Sequence, residues 1–196
     1  AAEVLVIDNA SKDATVETVR TRHPWVRLIA SPENLGFAAG NNRAIAEARG
    51  RMLLLLNPDA VPDAGALAEG LKRMDAHPEV GLRDELFTLS GLAAKYPHSR
   101  LFARLDRRWA DPNQPAEVDW IPGAFVFIPR ALFDSLGGFD ERFFMYYEEV
   151  DLCRRIQQAG RRVQYWPVLK AMHIGGESAK TVAKARVSRA GTGRPS

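Results

Sequence analysis

Glu148, Glu149 and Asp151 put three carboxylates within four residues, directly after the aromatic-rich run from Phe143 to Tyr147. A carboxylate held against aromatic surface can take a proton from a hydroxyl nucleophile. Acids also suit a helix start by complementing the macrodipole, so the spacing alone leaves an ordinary helix beginning open. A second group is Asn57-Pro58-Asp59, which closes the apolar run Met52–Leu56. An aspartate fixed at the end of a buried strand can hold a hard divalent cation, and the cation can hold a diphosphate. Mg²⁺ commonly takes one or two protein carboxylates, with phosphate oxygens and water completing its shell, so Asp59 needs one further ligand at most. His173 is the candidate. His23, His77 and His98 each adjoin a proline and read as loop residues, whereas His173 ends the apolar stretch Val168–Met172 before Gly175 and Gly176. A lone strand-end histidine is also often structural.

These groups depend on the elements that carry them. Val150, Leu152 and Ile156, with Arg154 and Arg155 interleaved, predict an amphipathic helix that runs from the acids to Gly160. The first half alternates in type. Strands are expected over Glu3–Asp8, Val26–Ala30 and Met52–Leu56, and helices over Asp13–Arg22, Gly36–Arg49 and Asp63–Ala76 with Asp63 as a cap. That order predicts an α/β fold with a mostly parallel twisted sheet flanked by helices. Ligands in such sheets bind at the carboxyl ends of the strands. Asp8, Asn9 and Ser11 fall there after the first strand, and Asn57 and Asp59 after the third, although Asx and Ser residues also simply make turns. Gly36 and Gly40 near a helix start would let a ligand approach the backbone. In the second half, short strands are expected at Val118–Ile121, Ala124–Ile128, Val163–Trp166 and Leu169–His173. A short helix is expected at Arg130–Leu136, and Arg83–Trp109 reads as partly helical. The small, polar, basic stretch from Glu177 onward predicts a poorly ordered tail.

The chain's 196 residues suit one domain with a sizeable core. A net charge of +3, spread along the chain, argues against a nucleic-acid partner. No apolar run approaches the ~20 residues of a membrane-spanning helix. The single cysteine, Cys153, excludes an internal disulfide, suits a reducing, cytoplasmic setting and reads as a packed thiol.

Six segments then occur in one order: VIDNAS, ENLGFAAGNN, LLLLNPDA, WIPGAFVFIPR, the stretch from Gly137 to Gly160, and AMHIGG. Each is weak alone. Together, from Glu3 to about Ser178, they resemble the inverting glycosyltransferases of family 2 with the GT-A fold, most closely the rhamnosyltransferase-like branch. The resemblance implies one domain over residues 1–178, with a nucleotide-sugar half (1–80), an acceptor and catalytic half (81–178), and residues 179–196 as the tail. It implies donor contacts from Asp8, Asn9, Ser11, Asn34, Gly36, Asn42 and Asn57, and a Mg²⁺ or Mn²⁺ ion on Asp59 and His173. Asn57 replaces the first acid of the family's Asp-x-Asp motif. Glu149 matches the family's base, with Glu148 and Asp151 supporting it, and Trp120, Gly123, Phe139 and Asp140 match positions near the acceptor.

The implied reaction is transfer of a sugar, rhamnose first, from a nucleoside-diphosphate donor to a glycan or polyprenyl-linked acceptor in cell-surface polysaccharide synthesis. The expected place is the cytoplasm, at the inner face of the plasma membrane. Arg100–Trp109, with Leu101, Leu105 and Trp109 on one helical face, is a candidate peripheral membrane contact or a packed surface helix. Three features depart from the family pattern. The Thr-Tyr-Asn-like strand that normally comes first is not in this sequence. Val80–Arg83 runs directly into a later helix, and the tail lacks the usual helices. An exposed central apolar surface would follow from the first departure, so omission of residues from a longer protein is the favoured expectation. Two rival readings remain: a non-catalytic nucleotide-sugar-binding relative, and a sugar-phosphate nucleotidyltransferase.

Overall fold

The computed structural model describes residues 2–78, 80–83, 111 and 113–173. Strand β1 (Leu5–Asn9), helix α1 (Thr15–Arg22) and strand β2 (Arg27–Ser31) form a parallel β-α-β unit, with Leu5 opposite Arg27 and Asn9 opposite Ser31. Helix α2 (Gly36–Glu47) leads to β3 (Met52–Leu56). The short β4 (Ala60–Pro62) precedes α3 (Ala66–Ala76) and β5 (Val80–Arg83). After β6 (Ala116–Glu117) and β7 (Phe125–Pro129) come α4 (Arg130–Ser135) and α5 (Glu148–Gln158). Strands β8 (Arg162–Tyr165) and β9 (Ala171–His173) follow.

The main sheet has the order β3-β7-β5-β8-β6. Its pairing corrects the expectation of a mostly parallel sheet. Strands β3, β5 and β8 point one way, but β7 lies antiparallel between β3 and β5, and β6 runs antiparallel beside β8. Hydrophobic periodicity reports how many faces of a strand are buried; it does not report the partner's direction. Strand β7 is buried on both faces, as its unbroken apolar run requires. Val126 and Ile128 join a core with Ala38 and Ile45 of α2, Leu53 and Leu55 of β3, and Leu152, Cys153 and Ile156 of α5. Phe125 and Phe127 alternate to the other face and pack with Ala66 and Met74 of α3, Trp166 and Leu169. Gly70 lets α3 come close, because a Cβ there would lie 2.5 Å from the Phe127 ring.

Several boundaries differ from the sequence expectations. Helix α3 begins at Ala66 behind Gly65, which has φ +85°, so Asp63 is not its cap; the Asp63 backbone N–H instead bonds to the Lys170 carbonyl. That bond belongs to the β4–β9 pairing, which local propensity did not reveal. Val118–Ile121 is not a strand; the short strand lies just before it at Ala116–Glu117. Val80–Arg83 is strand β5 at the centre of the sheet, and the helix expected directly after it lies outside the described residues. The expected helical stretch Arg83–Trp109, including the amphipathic Arg100–Trp109, falls almost entirely outside the described residues, as does the tail.

Candidate functional site

The carboxyl end of β1 and the start of α2 are joined by side-chain hydrogen bonds. Asn9 Nδ2 donates to the Gly36 carbonyl at 2.9 Å, and the Gly36 N–H donates to Asn34 Oδ1 at 2.9 Å. Gly40 brings the helix against the Asn9 amide, which a Cβ there would approach to 3.0 Å. Asp8 is 5% exposed and accepts from the Ser11 N–H at 3.3 Å, while Ala10 turns the chain with φ +62°. Of the donor residues that the resemblance implies, Asp8, Asn9, Ser11, Asn34, Gly36, Asn42 and Asn57, hydrogen bonds join Asn9, Asn34 and Gly36 to one another and Asp8 to Ser11.

The start of α2 also carries the loop that leads to the acids. The Phe37 N–H donates to the Phe144 carbonyl at 2.9 Å. Gly36, at φ +80°, lies so close beneath that carbonyl that any Cβ would overlap it. Between one and two helical turns later, Asn42 holds the same loop. Its Nδ2 donates to the Phe139 carbonyl, and its Oδ1 accepts from the Phe139 N–H, both at 2.9 Å. Nδ2 also reaches Glu141 Oε1 at 3.0 Å. Asn42, a candidate donor ligand, therefore spends its amide on the loop. Phe139, a candidate acceptor residue, buries its ring edge-on to Phe37 and Phe133, leaving 3% exposed. Asp140 is bound by the Arg142 guanidinium, whose hydrogen bonds, with that of the Arg142 N–H, hold its carboxyl down to about 2.

The antiparallel course of β7 brings its beginning to the end of β3. The Asn57 N–H donates to the Ala124 carbonyl at 2.9 Å, so Gly123 approaches the Asn57-Pro58-Asp59 turn, while Trp120 packs half-buried against the core. Gly123 faces the Phe37 ring, 2.9 Å from where its Cβ would be. Strand β9 completes this edge. Ala60 is registered with His173, so Asp59 stands one residue from the backbone partner of His173. Residues 114 apart in sequence are thus neighbours at one sheet edge. By residue type, an aspartate and a histidine are ligands that Mg²⁺ or Mn²⁺ accepts, and the backbone register puts these two positions at one sheet edge.

Helix α5 presents the acids. Leu152, Cys153 and Ile156 bury its inner face, which fixes the rotation of its first turn. Glu148 is 4% exposed, and burial, with the neighbouring Glu149 charge adding to it, pushes its carboxyl up to about 7. Burial raises Glu149 as well. Asp151 is instead paired with Arg155 at 2.7 Å. Arg155 also donates to the carbonyls of Leu136 and Gly138 at 2.8 Å, which ties α5 to the turn that Asn42 grips from the other side. The sequence reading missed Arg155 and Phe37 as supports. The i,i+4 spacing from Asp151 was a usable signal for Arg155; Phe37 had none.

Among the described residues, six buried side-chain polar atoms lack a hydrogen-bond partner in the protein. Two, Glu3 Oε2 and Arg155 Nη2, sit in ion pairs. The other four belong to Asn9, Trp120, Glu148 and Glu149. Buried polar groups are normally satisfied, so these four are candidates for contact with a bound polar group.

The sequence pattern of the family described as "Glycosyl transferase family 2" matches residues 1–151. This chain belongs to glycosyl transferase family 2. Over 203 aligned residues it is 30% identical to the N-acetylglucosaminyl-diphospho-decaprenol L-rhamnosyltransferase of Mycobacterium tuberculosis, covering 87% of this chain and 66% of that protein. A shorter match, 43% identical over 56 residues, is to rhamnosyltransferase WbbL of Escherichia coli, covering 29% of this chain and 21% of that one. Among solved structures, the mannosyltransferase PcManGT of Pyrobaculum calidifontis, in complex with GDP-Man and Mn²⁺, superposes with a TM-score of 0.61 at 23% identity. That match covers 99% of this chain and 56% of the other. GalNAc-T7 with UDP, GalNAc and Mn²⁺ gives 0.64 at 14%, covering 88% of this chain and 37% of the other. These likenesses show the GT-A fold. The chain spans less than two thirds of the length of these proteins. No helix among the described residues is long and apolar enough to cross a membrane.

Proposed function

We propose that this family member transfers a sugar, with inversion, from a nucleoside-diphosphate donor to a hydroxyl of a glycan or polyprenyl-linked glycan. The observation that carries the reading is the pair of carboxylates at the head of α5, Glu148 buried and Glu149 half-buried, each with a buried oxygen that no protein group satisfies. Glu149 accepts the proton of the acceptor hydroxyl as that oxygen attacks the anomeric carbon from the side opposite the diphosphate. The C–O bond to the acceptor forms as the bond to the diphosphate breaks, so a single displacement inverts the centre. Glu148, kept largely protonated below about pH 7, keeps a second negative charge away from the base. Asp151, through Arg155, holds the helix in register. Asp8, Asn9 and the Gly36 turn line the donor side. Asp59 and His173 would hold Mg²⁺ or Mn²⁺, which offsets the charge of the departing diphosphate. The relatives named as rhamnosyltransferases favour dTDP-rhamnose as the first donor to try. The decaprenol in the name of the Mycobacterium tuberculosis relative favours a polyprenyl-linked acceptor, which would bring the protein to the inner face of a membrane.

Glu149→Gln tests this. Transfer should fall by about 10²–10⁴-fold, the range of a lost general base, while calorimetric donor binding is kept. Turnover equal to wild type would remove the assignment. A protein that binds the donor but never turns over would support the non-catalytic reading, and pyrophosphate release from a sugar phosphate the nucleotidyltransferase one.

A further inference from the structure

Tyr146 and Tyr147 stand immediately before the buried acids, and nothing described so far uses their rings. Both have left-handed backbones, φ +70° and +72°. For bulky L-residues this conformation costs on the order of 1–2 kcal/mol each. Packing of the rings does not offset that cost, because Tyr146 is 53% and Tyr147 70% exposed. Phe144, two residues earlier, is 47% exposed. The loop is nevertheless fixed. Its ends are pinned by the Phe37–Phe144 and Asn42–Phe139 hydrogen bonds, and the Tyr147 carbonyl accepts from the Asp151 N–H at 3.0 Å to begin α5. The fold therefore holds two aromatic rings outward, at a backbone cost, at the head of the helix that carries the acids. The next residue, Glu148, is itself nine-tenths buried and has an unsatisfied oxygen.

We propose that Tyr146 and Tyr147 form a stacking platform for the pyranose ring of the acceptor. A pyranose has an apolar C–H face and a rim of hydroxyls. A phenol ring offers an apolar face and a polar tip, and the carboxylates beyond it accept hydroxyl protons. A polyprenyl chain would not need the carboxylates, and an aliphatic surface would serve it as well. The left-handed backbone at Tyr147 sets the ring relative to the first turn of α5, so stacking orients the hydroxyl toward that turn. This inference rests on the glycosyl-transfer reading for the acceptor's role, but the platform itself is measured by binding alone.

The probes are octyl N-acetylglucosaminide and 1-octanol, followed by saturation-transfer NMR and titration on the full chain. The glycoside should bind with its ring protons saturated, and octanol should not compete. Tyr147→Ala should weaken glycoside binding by about tenfold, the size of one aromatic stacking contact. Tyr147→Trp should restore it to within about threefold, since indole supplies a comparable face. Tyr147→Gly separates ring from backbone. It relieves the strain, so the melting temperature should hold or rise while binding falls as in Tyr147→Ala. Wild-type affinity in Tyr147→Gly, or displacement of the glycoside by octanol, would overturn the platform. If wild-type protein binds the glycoside through Tyr147 but transfers no sugar from any nucleotide donor, the reaction proposal fails and the platform stands.

Discussion

The α2 edge of the site and the head of α5 are built from similar numbers of polar groups, yet they use them in opposite ways. At α2, Asn34 and Asn42 close hydrogen bonds onto the protein's own backbone, and Asn9 leaves only its Oδ1 unsatisfied. At α5, buried Glu148 and half-buried Glu149 each leave a buried oxygen unsatisfied, and the two preceding tyrosines sit in a disfavoured conformation with their rings exposed. The first region is stabilised as a scaffold. The second holds its groups at a cost in stability, as expected where binding or catalysis recovers that cost. Gly36, Phe37 and Asn42 join the two, so the scaffold holds the costly region in place.

Substitutions can test this contrast. After the loss of turnover expected for Glu149→Gln, the largest effect should come from Gly36→Ala. A Cβ there meets the Phe144 carbonyl at a positive φ, and the strain and overlap together should cost about 4 kcal/mol in urea unfolding. A loss below about 1 kcal/mol would mean that the loop yields easily and is no rigid mount.

Glu148→Gln should act in the opposite direction. Burial raises the Glu148 carboxyl from its ordinary 4.5 to about 7, so the folded state favours the protonated form. Its contribution to stability is fully present below about 4.5 and is lost as pH rises through about 7. The glutamine variant should therefore match wild type near the lower value and exceed it at pH ~8 by about 3 kcal/mol. A constant difference across that range would mean that Glu148 is not held at a cost.

Asn42→Ala should have the smallest of these effects. It removes the two bonds to Phe139 and should cost about 2 kcal/mol. If the loop is a mount, kcat should fall more than donor affinity. A loss of donor affinity alone would return Asn42 to the role of direct donor ligand.

Much of this protein was legible before any fold was drawn. The apolar run Met52–Leu56 is strand β3 with those boundaries, and the acids open a helix whose buried face follows the spacing of Leu152 and Ile156. Such patterns are local, so composition and period reveal them. Less legible was what a side chain spends itself on. Phe139 and Asn42 carried no mark that one would fill the core and the other clamp a loop, because both outcomes depend on residues about a hundred positions away.

Sequence alone determined the inventory: which residues are acidic, which strands end in polar turns, and that the acids open a helix. Tertiary structure decided the meeting points. Antiparallel pairing of β7 with β3 brought Gly123 to Asn57, and pairing of β4 with β9 set His173 beside Asp59. The physical reason is the range of the forces. Helix and strand patterns follow from neighbours within a few residues, whereas strand direction and register are chosen by burying apolar faces against partners far along the chain.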